Sequence, residues 1–189
     1  MSKPFSTAII DPPWPYAGAS SHKKLSGYVK CAVTQYETIP MKDLMSLPIG
    51  EIVTDYIFLW SVAPFVASGE ASELLKSWGF IPRSMMFWHK NTGLGVGYWF
   101  RGDCEPILFA SKKASPAIRT NERSLFASKR LRHSAKPDIV HELVEKHFPG
   151  PYLEIFGRRS RQGWTVLGNE SPEDGKDIKE ALQGLCPKV

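Results

Sequence analysis

The sequence has 189 residues, no hydrophobic run long enough to cross a membrane and only three cysteines. A membrane span needs roughly 18 uncharged apolar residues, and the N-terminus also lacks the apolar stretch of a secretory signal. Cys31, Cys104 and Cys186 are far apart and form no CxxC pair, which argues against a structural zinc site and a disulfide scaffold. We therefore expect a soluble cytoplasmic protein with reduced thiols and no bound metal.

Acidic residues are in the minority. Asp and Glu total 19 against 24 Lys and Arg, so the formal net charge is +5 and the isoelectric point is about 9.1. Such a charge suits a polyanionic partner such as a nucleic acid. The sequence contains neither an internal repeat nor a linker, so residues 1–189 are expected to form a single domain.

Short apolar runs alternate with helical patterns along the chain. Buried strands are predicted at residues 7–10, 56–60, 85–88, 106–110, 153–156 and 164–167. Helices are predicted at residues 65–78, 137–147 and 172–185, the first between Pro64 and Gly79. This alternation predicts an α/β fold with a mostly parallel sheet and helices on both faces. In such folds ligands bind beyond the carboxyl ends of the strands.

Two stretches, residues 17–33 and 112–135, lack periodicity and are predicted to be long surface loops. The second stretch contains one acidic residue, Glu122, and seven basic residues: Lys112, Lys113, Arg119, Arg123, Lys129, Arg130 and Arg132. Such a run is typical of a solvated loop, but beside a nucleic-acid site it favours phosphate contacts. The glycines of residues 93–97 predict another loop, which either closes over a bound base or is a simple turn. His141 and His147 are six residues apart, so they do not form a metalloprotease-like metal pair.

The segment Asp11-Pro12-Pro13-Trp14 directly follows the first predicted strand. Two prolines end the strand and exclude a helix, so the Asp11 carboxylate projects from a stiff turn. The lone pair of an adenine amine is delocalised into the ring, which makes the amine a poor nucleophile. Asp11 and the Pro12 carbonyl can accept its N–H groups and localise that pair, while Trp14 or Tyr16 offers a stacking platform. The alternative is a proline turn with Trp14 as a core aromatic.

The segment resembles the (Asp/Asn)-Pro-Pro-aromatic motif of amino-methyltransferases, and with Trp in the fourth place it is similar to the adenine-methylating MT-A70 family. Further blocks follow in the family's order over nearly the whole chain. They are Tyr36-Glu-Thr-Ile-Pro, Phe58-Leu-Trp, Ser77-Trp-Gly-Phe, Trp88-His-Lys, Arg101-Gly-Asp-Cys-Glu-Pro, Lys136-Pro-Asp, Leu153-Glu-Ile-Phe-Gly-Arg158 and Trp164-Thr-Val-Leu-Gly-Asn-Glu170.

The resemblance implies a Rossmann-like class I methyltransferase fold with S-adenosylmethionine as cofactor. It implies that Lys136 holds the cofactor's methionine carboxylate, and that Glu154, Arg158, Asn169 and Glu170 lie in the same site. It also implies that Asp11 borders both the cofactor and the target base. Without the resemblance, Lys136 could simply begin a helix and Arg158 could pair with Asp138 on the surface.

The expected reaction is methylation of the N6 amine of adenine in DNA, with the base flipped out of the duplex. Substrate contacts are expected from Tyr16, Tyr36, Lys90, Trp99, Arg101, Arg130 and Arg132. The protein could act as a homodimer or a heterodimer. RNA adenosine methylation and a catalytically silent nucleic-acid-binding subunit stay open as alternatives.

The chain also departs from the larger members of the family. It begins too close to Asp11 to include the acidic residue that contacts the cofactor's adenine in those proteins, so no adenine pocket is assigned. Arg159-Ser160-Arg161 and a shorter connection stand where they have a histidine. The zinc-finger domains are missing too, so we expect target binding from the catalytic domain or from a partner.

Overall fold

The computed structural model describes residues 4–15, 38–91, 100, 102–128, 136–168 and 178–186. Their strands form one seven-stranded sheet in the order β5-β3-β4-β2-β1-β6-β7. The strands are β1 (Phe5–Ile10), β2 (Val53–Trp60), β3 (Ile81–His89), β4 (Cys104–Ser111), β5 (Leu125–Ala127), β6 (Tyr152–Ile155) and β7 (Trp164–Leu167). Strand β4 runs antiparallel to β2 and β3, and the other neighbouring pairs are parallel. The prediction of a mostly parallel sheet is confirmed.

Six helices belong to the described residues. They are α1 (Met41–Met45), α2 (Ile49–Ile52), α3 (Ala63–Ala67), α4 (Glu70–Ser77), α5 (Ile139–His147) and α6 (Ile178–Leu185). None of the helices in these ranges is long and apolar enough to span a membrane.

The prediction of one helix over residues 65–78 is wrong, because the chain turns between α3 and α4. Gly69 has a φ of 85°, a left-handed conformation that interrupts a right-handed helix and that glycine adopts at little steric cost. The break lets Phe65 on α3 and Leu74 on α4 both reach the core. Helix α5 starts at Ile139 rather than Pro137, and β5 lies inside the stretch that was predicted to be a loop.

The two faces of the sheet bury different side chains. Along β2, Ile57 and Leu59 point into a largely aliphatic cluster, while Phe58 and Trp60 point into an aromatic one. This alternation is the period of two that every strand imposes. Helix α5 covers the aromatic face through Val140 and Val144, among other residues. Both faces of the sheet are therefore covered, as the sequence predicted.

The carboxyl ends of the parallel strands form one edge of the sheet, and several charged residues lie along it. Asp11 follows β1, Lys90 follows β3 and Phe156 follows β6, so all three lie where parallel strands end. Because β4 is reversed, its first residues come to the same edge, and Cys104 pairs with His89. Glu105, the next residue of β4, is thereby brought to this edge as well.

Candidate active site

The turn after β1 is held by main-chain hydrogen bonds. The Asp11 N–H donates to the Ile155 carbonyl of β6 at 3.2 Å, which ties the start of the turn to the neighbouring strand. The Trp14 N–H donates to the Pro12 carbonyl at 2.9 Å. A carbonyl oxygen has two lone pairs, so Pro12 can still accept a hydrogen bond from a ligand. Asp11 therefore projects from a fixed turn.

Trp14 anchors that turn in the core and is only 4% exposed. Its Nε1 donates to the Trp60 carbonyl at 3.1 Å, and its ring stacks on Phe65 with 4.8 Å between centroids. The prediction that Trp14 stacks on an unpaired base is wrong, because the buried ring presents no face to a ligand. The alternative, a core aromatic, is confirmed, and Trp14 acts by fixing the position of Asp11.

Four charged side chains form a chain of alternating sign at the site edge. Lys136 Nζ lies 3.1 Å from Asp11 Oδ2 and 3.0 Å from Glu105 Oε2. Lys90 Nζ lies 2.7 Å from Glu105 Oε1. Lys136 Nζ also lies 5.0 Å from the centre of the Trp60 ring. The structure thus brings together Asp11, Lys136 and Lys90, three of the residues named from the sequence.

Glu105 is the one member of these four ion-paired residues to which the sequence assigned no role. It belongs to the block Arg101-Gly-Asp-Cys-Glu-Pro, and it directly precedes the predicted strand 106–110. That position is the available signal, because a carboxylate beside the end of a buried strand needs a partner. The pairing partner, Lys136, follows only from the tertiary structure.

Burial and pairing act in opposite directions on these groups. Burial raises the pKa of Asp11 above its ordinary value, although Lys136 attracts its carboxylate. Burial would also raise the pKa of Glu105, but Lys136 and Lys90 together hold it below its ordinary value. For Lys136, Asp11 and Glu105 overcome the effect of burial and raise the pKa. Lys136 is therefore held charged, and folding favours a proton on Asp11 while it disfavours one on Glu105.

The chain segments that follow β6 and β7 lie close together because each has a glycine there, Gly157 and Gly168. A side chain at Gly157 would overlap Val166, and one at Gly168 would lie 2.5 Å from the Gly157 carbonyl. Phe156 adopts a φ of 66°, which redirects the chain as it leaves β6. This turn leads into Arg158, whose positive charge favours the ionised form of Asp11. Arg158 is thus electrostatically coupled to the site, as part of the predicted set.

Glu154 lies one register position before the end of β6, opposite Ile9. Its Oε2 is 3.0 Å from His141 Nε2 on α5, and His141 is only 5% exposed. The His141 ring meets Trp164 edge to face, with 4.8 Å between centroids. Glu154 therefore lies beneath α5 in this structure, and its contact with a cofactor stays a prediction.

Two alternatives from the sequence can be compared with side-chain contacts. Lys112 donates to the Gly50 carbonyl at 2.6 Å at the opposite edge of the sheet, so its predicted phosphate contact beside the site is wrong. Asp138 pairs with Arg159 at 2.6 Å and with Arg161 at 3.6 Å. Eight of the predicted cofactor and substrate contacts lie outside the described residues: Tyr16, Tyr36, Trp99, Arg101, Arg130, Arg132, Asn169 and Glu170.

The connection between β3 and β4 is closed at its base. The Lys90 N–H donates to the Asp103 carbonyl at 2.8 Å, and His89 Nε2 lies 3.3 Å from Asp103 Oδ2. Glu105 follows two residues later, so its position is fixed by this closure and by the pairing of β3 with β4.

A family model described as MT-A70 matches residues 5–170, which span the site and all seven strands of the sheet. The chain belongs to the MT-A70 family. This membership confirms the resemblance that the ordered sequence blocks carried. No group of three or more His, Cys, Asp or Glu side chains among the described residues could hold a metal ion.

Three named relatives extend the comparison. The chain is 29% identical to the type II methyltransferase M.MunI of Mycoplasma sp, over 93% of this chain and 82% of that protein. It is 25% identical to a putative MT-A70-like N6-adenosine-methyltransferase of Medicago truncatula, over 88% of this chain and 26% of that protein. It is 29% identical to the N6-methyladenosine RNA methyltransferase MTA1 of Pyricularia oryzae, over 88% of this chain and 46% of that protein.

Proposed function

We propose that the protein transfers a methyl group from S-adenosylmethionine to the N6 amine of adenine in DNA, with the target base flipped out of the duplex. Family membership supports an adenine methyltransferase, and M.MunI matches this chain over most of its own length. The observation that carries the proposal is the contact of Asp11 with Lys136 at the carboxyl end of β1.

The residues of this edge fit the proposed cofactor chemically. S-adenosylmethionine has a carboxylate, an ammonium group and a sulfonium centre, so it needs partners of both signs. Lys136 and Arg158 offer positive charge, while Asp11 and Glu105 offer negative charge. The two glycines that end β6 and β7 keep side chains out of the space between these strands. We propose that Lys136 and Arg158 bind the cofactor, with Glu154, Asn169 and Glu170 completing its site.

When bound, the cofactor supplies a methyl group made electrophilic by its sulfonium. The chain's own contribution is to hold the adenine amine. Asp11 and the free lone pair of the Pro12 carbonyl accept its two N–H groups, which localises the nitrogen lone pair. The raised pKa of Asp11 also makes its carboxylate a suitable acceptor for the proton that the amine loses on transfer. Asp11 therefore orients and polarises, and a strong base is not needed.

Lys90 and residues outside the described ranges are proposed to contact the nucleic acid. Lys90 lies at the site edge, where it pairs with Glu105. Ser128 lies near this edge because its N–H donates to the His89 carbonyl at 3.1 Å. Lys136 lies there because its amine contacts Asp11. Arg130 and Arg132 stand between them in the sequence. With Tyr16, Tyr36, Trp99 and Arg101, these residues form the proposed substrate contacts.

RNA is the second candidate substrate, favoured by the match to MTA1 of Pyricularia oryzae. The adenine base presents the same edge in both polymers, so Asp11 cannot discriminate between them. Discrimination requires contacts to the 2′-hydroxyl or to strand geometry. We place DNA first because M.MunI is matched over 82% of its length and MTA1 over 46%.

The proposal is tested with the purified protein, Asp11→Ala and the control variant Asp43→Ala on helix α1. Each is incubated with labelled S-adenosylmethionine and duplex DNA, single-stranded DNA or RNA, and the modified adenines are mapped. We expect N6-methyladenine in duplex DNA with the wild type and Asp43→Ala, and no transfer with Asp11→Ala, which still binds the cofactor in calorimetry. Transfer by Asp11→Ala at a near wild-type rate would show that the site assignment is wrong. Modification of RNA alone would replace the DNA proposal by its alternative.

A further inference from the structure

We infer that Arg159 is a positioning residue for Lys136, through which the connection between β6 and β7 sets the affinity for S-adenosylmethionine. This connection comprises residues 156–163. The inference rests on the proposed function, because it takes Lys136 to be a cofactor ligand.

Arg159 contacts the main-chain carbonyl of Lys136 directly. Its Nη2 donates to the Lys136 carbonyl at 3.3 Å and to Asp138 Oδ1 at 2.6 Å. These two acceptors lie on either side of Pro137, a buried residue. One guanidinium therefore links the main chain at Lys136 to the side chain of Asp138, across the proline that leads into α5.

The side chain of Asp138 does not cap helix α5, although Asp138 is its N-cap residue. It is the N-cap residue of α5, where an aspartate normally accepts a hydrogen bond from a helix N–H, yet its side chain makes no such bond. Its carboxylate faces Arg159 at 2.6 Å and Arg161 at 3.6 Å instead. The start of α5 is thus coupled to the β6–β7 connection rather than capped by its own residue.

The geometry of Lys136 explains why this coupling affects the site. Its Nζ bridges Asp11 at 3.1 Å and Glu105 at 3.0 Å, so both contacts depend on the position of one main-chain segment. A displacement of about 1 Å in a binding group is enough to lower its effectiveness substantially. Releasing the Lys136 carbonyl from Arg159 is therefore expected to weaken the hold of Lys136 on a cofactor carboxylate.

A second arginine of the same connection supplies a matched control. Arg161 makes two hydrogen bonds to Glu145, at 2.7 and 2.8 Å, on the middle of α5. Trp164 Nε1 donates to the same carboxylate at 2.7 Å, and these donors lower the pKa of Glu145 to about 2. Apart from its longer contact of 3.6 Å with Asp138, Arg161 holds the connection to the middle of α5, and none of these contacts involves Lys136. Loss of Arg161 should therefore affect stability more than cofactor binding.

The exposure of Arg159 separates the two kinds of effect. Its side chain is 54% exposed, so its ion pair with Asp138 is screened by solvent and contributes little to stability. A purely structural role would appear mainly in the melting temperature. A positioning role would appear in the dissociation constant for S-adenosylmethionine while the melting temperature changes little.

The test compares the wild type with Arg159→Ala, Arg159→Lys and Arg161→Ala, using titration calorimetry with S-adenosylmethionine, thermal melting, and the kcat and KM for the cofactor. We expect Arg159→Ala to raise Kd and KM about three- to tenfold, the effect of losing one hydrogen bond of ordinary strength. Its Tm should stay within about 2 °C of the wild type, given the exposed ion pair. Arg159→Lys should recover part of the affinity, because an ammonium also donates to a carbonyl. Arg161→Ala should lower Tm and leave Kd within about twofold of the wild type.

A double-mutant cycle with Lys136→Met completes the test. If Arg159 acts through Lys136, Arg159→Ala should change Kd no further once Lys136 is replaced. Equal Kd values for the wild type and Arg159→Ala would overturn the inference, and so would additive effects in the cycle. Failure of the wild-type protein to bind the cofactor at all would instead contradict the proposed function, and the inference with it.

Discussion

Two half-buried lysines lie at opposite edges of the same sheet, and their surroundings differ in one respect. Lys136 Nζ lies 5.0 Å from the centre of the Trp60 ring, and Lys112 Nζ lies 5.3 Å from that of Phe80. Lys136 is held between the carboxylates of Asp11 and Glu105. Lys112 donates to a main-chain carbonyl, that of Gly50. The aromatic neighbour is common to both sites, and the polar partner distinguishes them.

The polar partner decides the direction in which each amine is tuned. Burial lowers the pKa of Lys112, and Asp55 offsets that effect only in part. Burial acts in the same direction on Lys136, but two carboxylates outweigh it and raise the pKa. A main-chain carbonyl therefore makes Lys112 a structural tether, whereas two carboxylates stabilise the charged form of Lys136.

The largest expected difference between the two lysines is in catalysis. Replacing Lys136 by Met should lower kcat/KM for methyl transfer by roughly 100-fold or more, because a buried charge that pairs with two carboxylates is lost. Lys112→Met should leave kcat/KM within about twofold, since Lys112 is at the opposite edge. Steady-state assays with labelled cofactor measure both. Similar losses for the two variants would break the comparison.

The same pair of variants should also differ in stability. Lys136→Met leaves Asp11 and Glu105 without their shared cation, so we expect it to destabilise the protein by about 2–3 kcal/mol at pH 8. As the pH falls through the carboxylate pKa values, protons replace the missing cation and the loss shrinks. Lys112→Met keeps the packing on Phe80 and should change stability by at most about 1 kcal/mol. Denaturant unfolding from pH 4 to pH 8 tests this, and a pH-independent loss for Lys136→Met would contradict it.

Glu105 and Asp11 should contribute opposite pH slopes, although they share Lys136. The pKa of Glu105 is lowered on folding, so its contribution is present above its ordinary value of 4.5 and is lost as the pH falls through the folded value. The pKa of Asp11 is raised, so the folded protein binds its proton more tightly and stability declines as the pH rises above 3.8. Glu105→Gln should therefore cost about 1–2 kcal/mol at pH 7 and less below pH 4.5. Stability curves from pH 3 to pH 8 measure this, with Glu180→Gln at an exposed position of α6 as the matched control.

The smallest expected effect is at alkaline pH, where the two lysines should change stability in opposite directions. The folded-state pKa of Lys112 lies below 10.5, so the unfolded chain binds more protons there and stability rises with pH up to that value. Lys136 has a raised pKa, so its contribution is lost as the pH rises above 10.5. Comparing each Met variant with the wild type from pH 9 to pH 11 isolates the two slopes. Slopes of the same sign would show that the partners do not tune the amines as described.

Local sequence predicted those parts of the fold that depend on local pattern. The apolar runs that became β1, β2 and β7 are long enough to be recognised, and the predicted bounds of β7 agree with Trp164–Leu167. Strand β5 has three residues and an exposed Leu125, so its strand character arises from pairing with β3 rather than from its own composition. The helix break at Gly69 was missed because apolar spacing continues across it.

The site residue that could be predicted is the one whose neighbours in the sequence restrict its backbone. Asp11 was found because two prolines after a strand leave its carboxylate few orientations. Glu105 was not found, because its presence at the site depends on β4 running antiparallel, and strand direction is a property of pairing. The role of Trp14 required tertiary information for the same reason, since only the contacts with Trp60 and Phe65 distinguish an anchor from a platform.

The closed base of the β3–β4 connection fixes the carboxylate that holds Lys136. The bond from the Lys90 N–H to the Asp103 carbonyl joins the two ends of the connection before Glu105 is reached. The pairing of β3 with β4 holds Glu105 from the other side. We therefore expect Glu105 to keep its place when residues between Lys90 and Asp103 are exchanged, so this segment can be varied without disturbing the ion pairs with Lys90 and Lys136.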